Sequence, residues 1–309
     1  MLNVLYAGHA SRWPKYRAPL LAAFAEAGLN VDLRTEFPPE EVDYIIYSPN
    51  SRVQDFTPYT RAKAVLNLWA GVEGIVGNKT LKIPLARMVE DGLTEGMVEW
   101  VCAHVLRYHL GIDAHITGQD GTWAPVYPPL ARDRRVGILG LGALGAACAS
   151  ALARLNFQVA GWARSEKFID GVTTFSGAEG LATVLGHSEI LVLLLPATPD
   201  TENIIDAQAL AQMPHGARLI NPGRGQLIDD DALLAALEAG RIAHATLDVF
   251  RTEPLPPEHP YWHQPNVTVT PHVASETRAE SSSRTIAENT RRSEAGEPLL
   301  YVVDRVRAY

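Results

Sequence analysis

The chain has 309 residues and a formal net charge of −8, from 27 basic and 35 acidic residues. At roughly 150 residues per domain, that length suggests two domains. Hydrophobic residues make up 47% and charged residues 20%, which excludes an intrinsically disordered chain. The acidic balance argues against a nucleic-acid binder. The two cysteines, Cys102 and Cys148, fall in helix-like text and form neither a disulfide framework nor, alone, a metal site.

Short apolar runs alternate with helical patterns along the chain. Leu2–Gly8 reads as a strand and Tyr16–Glu26 as a helix. Val31–Thr35, Asp43–Pro49, Ala64–Gly71 and Ile83–Met88 read as further strands. Thr94–Gly111 reads as a long helix, with Thr94 as its cap. Gly118–Asp133, which holds Pro125, Pro128 and Pro129, reads as a connector. A second set begins at Arg135, with strands in RVGILG, QVAGWA, ILVLLLP, ARLINPG, HATLDVF and NVTVTPH. A last helix spans Glu276–Ala295. Alternating strands and helices imply βαβ units and parallel sheets. The longest apolar run, Ile190–Ala197, is less than half of the roughly 20 residues that span a bilayer. The N-terminus lacks the pattern of a secretory signal, and the final Arg-Ala-Tyr is not a peroxisomal address. A cytoplasmic protein with no membrane partner is the expectation.

In VGILGLGALG, Gly140, Gly142 and Gly145 form a G-x-G-x-x-G that follows a strand and opens a helix. In that context the motif points to a dinucleotide: the first glycine turns, the second admits a pyrophosphate, the third packs helix on strand. The diphosphate would lie on the helix N-terminus. An NAD site places an acid about 20 residues further on. Here Ala163 holds that place, followed by Arg164, Ser165 and Lys167. With no carboxylate to repel a 2′-phosphate and an arginine able to fork onto it, NADP(H) is favoured and NAD(H) remains possible. Surface charge alone is the plainer reading of Arg164 and Lys167.

Arg224, Asp248, Glu253 and His272 each follow a strand of the second set, where ligands of open α/β sheets bind. A lone histidine is more often a core residue than a catalyst. His259 and His263 have metal-like spacing but sit in proline-rich text and read as surface residues, so no metal is expected.

Together GILGLGALG, WARS, LLLPATPDT, INPGRG, LDVFRTEPLPPEHPYW, VTVTPHVA and the ending VDRVRAY resemble the D-isomer-specific 2-hydroxyacid dehydrogenases, and within them the glyoxylate/hydroxypyruvate reductase A group. The resemblance implies an α/β fold of two Rossmann- or flavodoxin-like domains with parallel sheets and a cleft between them. A discontinuous substrate domain would take residues 1–98 and 276–309, and a dinucleotide domain 99–275. It implies NADPH-dependent reduction of a small 2-oxo acid by hydride transfer. His272 would donate the proton, Glu253 would orient it, and Arg224 would hold the carboxylate and polarise the carbonyl. Cofactor contacts would come from Gly140, Gly142, Leu144, Gly145, Arg164, Ser165, Lys167, Pro196 and Asp248. Ala70, Gly71 and Val72 would offer backbone N–H groups to the substrate carboxylate, and Tyr47 would line its pocket. The family is commonly dimeric, and Gly118–Asp133, with Trp123, is the expected arm. Other reactions of the family, or a nucleotide sensor without catalysis, are the competing readings.

Overall fold

In the computed structural model, residues 1–305 are described. The VDRVRAY ending therefore lies partly, and its final Arg-Ala-Tyr wholly, outside the described residues. In chain order the elements are β1 (Leu2–Ala7), α1 (Trp13–Glu26), β2 (Val31–Arg34), β3 (Tyr44–Tyr47), β4 (Ala64–Asn67), α2 (Glu73–Val76) and β5 (Leu85–Ala86). There follow α3 (Asp91–Leu110), α4 (Ile112–Thr117), β6 (Arg135–Leu139), α5 (Ala143–Arg154), β7 (Gln158–Trp162), β8 (Val172–Phe175), α6 (Gly177–His187) and β9 (Ile190–Leu193). Then come α7 (Ala207–Gln212), β10 (Ala217–Asn221), α8 (Asp230–Glu238), β11 (Ile242–Leu247), β12 (Val267–Val269) and α9 (Ala279–Glu294). The chain divides into two compact units, one of 1–93 with the residues from 276 on, the other of Thr94–Ser275.

The first unit carries a parallel sheet in the order β2-β1-β3-β4-β5. Tyr16, Leu20, Ala23 and Phe24 of α1 recur at helical spacing and are buried on one face of the sheet with Ala279, Ile286 and Ala287 of α9. The other face buries Leu5, Ile45, Val65 and Leu85 against Val72, Ile75 and Leu81. Beyond α9 the chain returns antiparallel along β5: Val303 N–H donates to Leu85 O at 2.8 Å and Arg87 N–H to Tyr301 O at 3.0 Å. This covers an edge that would otherwise present unpaired backbone.

The second unit carries a parallel sheet in the order β12-β11-β10-β9-β6-β7-β8. Along β9, Ile190 and Val192 pack into one core while Leu191 and Leu193 pack into another. A strand covered on both faces needs this continuous apolar text. Strand β8, with the text VTTF, goes beyond the strands expected from the sequence; only partly buried at the sheet edge, it lacks the apolar run that marks the others.

The sequence places a helix cap at Thr94, but α3 begins at Asp91. Glu90 caps it instead: its carboxylate accepts the N–H of Gly92 at 2.6 Å and of Leu93 at 2.8 Å, with the negative end at the positive end of the helix dipole. Residues 118–130 form no regular element, and Trp123, Val126, Tyr127 and Leu130 are exposed.

Candidate active site

The Gly-rich turn joins β6 to α5, and sterics explain two of its glycines. Gly140 has φ +103°, and a Cβ there would stand 2.6 Å from Leu194 O. A Cβ on Gly145 would stand 1.7 Å from Gly140 O, so helix and turn meet backbone to backbone. Gly142 differs. Nothing lies within 4 Å of a Cβ built on it, and it precedes the first turn of α5. Open space beside free helical N–H groups fits a diphosphate. Leu144, in that first turn, packs partly into the core behind it. At the end of β7, Ala163 is buried, while Arg164, Ser165, Glu166 and Lys167 are exposed.

Pro196 lies in the segment after β9. Its carbonyl accepts the hydroxyl of Thr201 at 2.7 Å, and that hydroxyl also accepts the N–H of Thr198 at 2.9 Å. Thr201 thus closes a tight loop next to Leu194, the residue that abuts Gly140.

The INPGRG turn follows β10. Asn221, fully buried, accepts the N–H of Gly223 at 3.1 Å and donates to the carbonyl of Arg224 at 2.9 Å. Arg224 is half-buried, and its Nη1 donates to Gly223 O at 2.7 Å. A Cβ on Gly225 would stand 2.0 Å from the carbonyl carbon of Phe250. The backbone after Arg224 therefore lies directly on the segment that carries Glu253.

Glu253 and His272 are brought together. The Glu253 Oε1 accepts the N–H of Phe250 at 2.9 Å, and Oε2 lies 2.7 Å from His272 Nδ1. This leaves Nε2 as the nitrogen able to donate outward, and the imidazole is 53% exposed. His272 has φ +53°, a left-handed conformation that costs a non-glycine residue about 1–3 kcal/mol. Its N–H donates to Asp248 O at 2.9 Å and Thr270 O at 3.0 Å, which holds the conformation.

Asp248 is fully buried at the end of β11. Its Oδ1 accepts the Thr270 hydroxyl at 2.6 Å and the Val273 N–H at 2.9 Å; its Oδ2 accepts the Ala274 N–H at 2.9 Å. Asp248, which the resemblance counts among the cofactor contacts, also engages both its oxygens in the loop that presents His272. Asn221, Thr201 and the scaffold role of Asp248 escape sequence reasoning, since one polar residue after a strand makes no pattern.

In the first unit, Ala70 and Gly71 are partly exposed and Val72 is 3% exposed after β4. Tyr47, expected beside the substrate, is the last residue of β3. It is fully buried against Phe56, with ring centroids 5.6 Å apart, and its hydroxyl faces Gln54. Its position at a strand end is as expected, but its side chain falls on the covered face. Among the described residues, no group of acidic, histidine or cysteine side chains could hold a metal ion, and no helix is long and apolar enough to cross a membrane. Both cysteines are free thiols.

Residues 102–274 match the family described as D-isomer specific 2-hydroxyacid dehydrogenase, NAD binding domain. Glyoxylate/hydroxypyruvate reductase A of Serratia proteamaculans is 41% identical over 257 residues, 81% of this chain and 82% of that one. A D-isomer specific 2-hydroxyacid dehydrogenase of Xanthobacter autotrophicus Py2, solved with NADPH and MES, is 40% identical. It superposes with a TM-score of 0.92 over 100% of this chain and 99% of that one. The NADPH-dependent glyoxylate/hydroxypyruvate reductase of Sinorhizobium meliloti, solved with NADP and sulfate, is 34% identical. Its TM-score is 0.86, over 100% of both chains. The chain thus belongs to the D-isomer-specific 2-hydroxyacid dehydrogenase family and is an NAD(P)-dependent oxidoreductase.

Proposed function

We propose that the protein reduces short 2-oxo acids, such as glyoxylate and hydroxypyruvate, to 2-hydroxy acids with NADPH. The observation that carries this reading is the Glu253–His272 pair, 2.7 Å apart on an exposed imidazole held at positive φ. The relatives named as reductases support it.

His272 donates a proton to the substrate oxygen through Nε2, and Glu253 fixes the orientation of the ring. One such positioned acid contributes about 10²–10⁴-fold. Arg224 holds the substrate carboxylate and polarises the carbonyl. Ala70, Gly71 and Val72 offer backbone N–H groups to the same anionic substrate. The turn of Gly140, Gly142, Leu144 and Gly145 takes the cofactor diphosphate; Arg164, Ser165 and Lys167 take the 2′-phosphate, and Pro196 borders the cofactor. NADPH, when bound, supplies the hydride. We further infer a cytoplasmic homodimer. Its two free thiols suit a reducing compartment, and the exposed Trp123, Val126, Tyr127 and Leu130 suit a subunit interface.

Initial rates of NADPH and NADH oxidation with glyoxylate, hydroxypyruvate, pyruvate, phenylpyruvate and oxaloacetate test the reading. Fast NADPH turnover with the two- and three-carbon acids is expected. His272→Ala should abolish it while NADPH still binds. A protein that binds NADPH but turns over none of these acids overturns the proposed substrates.

A further inference from the structure

The last residue of β4, Asn67, is 1% exposed and pairs across the sheet with the buried Tyr47. A carboxamide in an otherwise apolar strand is costly to bury, and the Oδ1 of Asn67 is buried without a hydrogen-bond partner. Its Nδ2 donates twice, to Trp69 O at 2.8 Å and to Gly71 O at 3.0 Å. Trp69 O also accepts the N–H of Met88 at 3.0 Å. Both donors therefore act on the turn, and neither acts on the strand.

The consequence follows from peptide geometry. The carbonyl of Trp69 shares a planar unit with the N–H of Ala70, and that of Gly71 shares one with the N–H of Val72. Both units are trans, because among the described residues the cis peptide bond is Glu253–Pro254. In a trans peptide C=O and N–H point in opposite directions. Holding two alternate carbonyls toward Asn67 turns two alternate N–H groups away from it. Among the described residues none of the Ala70, Gly71 and Val72 N–H groups donates to a protein acceptor, and Asn67 orients the first and the last of them. Paired, unmatched backbone donors are rare in folded chains, and neighbouring ones form a concavity for an anion.

We infer that Asn67 is a positioning residue for substrate: it sets the turn so that the N–H groups of Ala70 and Val72 face and grip a carboxylate. This rests on the reading of the protein as a 2-oxo-acid reductase. Asn67 itself touches no substrate. It acts through the orientation of two peptide units.

Asn67→Asp keeps the shape but exchanges the donor for an oxygen that repels both carbonyls. Asn67→Ala removes the contact altogether. In either variant the KM for glyoxylate and the inhibition constant for oxalate, a non-reducible dicarboxylate, should rise together by roughly tenfold or more. The value of kcat should stay within about threefold, and KM for NADPH should not change. Unchanged KM and oxalate inhibition in a folded variant would overturn the inference, as would parallel loss of kcat and NADPH affinity. Should neither variant fold, wild-type protein labelled at alanine and valine amides decides the matter. On oxalate titration the Ala70 and Val72 resonances should move, and two unmoved resonances would overturn the proposal. A wild type that reduces no 2-oxo acid defeats the functional reading instead, and the same oxalate titration still judges Asn67.

Discussion

The backbone N–H of His272 donates to the carbonyl of Asp248 at 2.9 Å, while the Asp248 carboxylate accepts the N–H groups of the next two residues, Val273 and Ala274. One buried acid thus holds the chain on the far side of the imidazole, and Glu253 holds the ring itself. The left-handed backbone at His272 persists because both ends of it are tied.

Asp248→Asn tests this relationship. One of the two oxygens becomes an amide that faces an N–H donor, so a buried hydrogen bond is exchanged for a clash of donors. The expected cost is about 1–3 kcal/mol of stability, read as a lower urea midpoint with unchanged slope. The value of kcat should fall further than that of Glu253→Gln alone, because the loop as well as the ring is released. A variant with wild-type kcat would show that the loop is held without Asp248.

The Gly-rich turn allows a sharper separation of structure from binding. Gly145→Ala drives a methyl to 1.7 Å from Gly140 O and must shift backbone, with an expected loss of a few kcal/mol. Gly142→Ala meets nothing within 4 Å. Its thermal midpoint should stay near wild type, while the methyl crowds the space left for a diphosphate. NADPH affinity should drop at least tenfold, measured by quenching or calorimetry. If Gly142→Ala binds NADPH normally, the diphosphate does not approach there.

These two glycines also show how a fold leaves marks in a sequence. A steric demand that only glycine meets leaves a fixed spacing in the text, so the turn is legible from Gly140, Gly142 and Gly145. Arg224, Glu253 and His272 are legible as a set, because each stands after a strand and each lies in a recognisable segment. Tyr47 shows that a strand end gives the height of a residue in the sheet but not the face, since its ring packs on Phe56. Thr94 misleads because short capping residues are the usual signal, and the longer Glu90 does the same work by reaching forward to the N–H groups of Gly92 and Leu93. Asn67 and Asn221 are not legible at all. Their importance lies in which carbonyl they reach, and this exists only once the chain is folded.

Arg164 bears on the choice between cofactors. It follows a buried Ala163 and stands exposed in a segment whose acid is Glu166. Arg164→Ser should raise KM for NADPH by roughly ten- to a hundredfold and leave KM for NADH nearly unchanged, since only the 2′-phosphate loses a charged partner. The kcat with saturating NADPH should change little. An equal rise for both cofactors would mean that Arg164 supports the adenosine end in general and does not read the phosphate.

Three histidines of the second unit tie stability to pH. The pKa of His244 is held down to about 4 by burial and by the neighbouring Arg107 guanidinium, and its Nε2 contacts the Thr268 hydroxyl at 2.9 Å. Burial also lowers His104 and His109, reinforced by Arg107 at the first and Arg134 at the second. Each is therefore more easily protonated in the unfolded chain than in the folded one. The unfolded state binds the extra proton first, so stability is full above the ordinary histidine range near 6.5 and falls as pH drops toward about 4. A tenfold difference in proton affinity between the two states is worth about 1.4 kcal/mol, so His244 alone accounts for up to about 3 kcal/mol of that loss. His244→Gln keeps a polar partner for Thr268 without a titrating proton. Its urea midpoint should depend less steeply on pH between about 6.5 and about 4.5 than that of the wild type. Equal slopes would place the acid sensitivity on other groups.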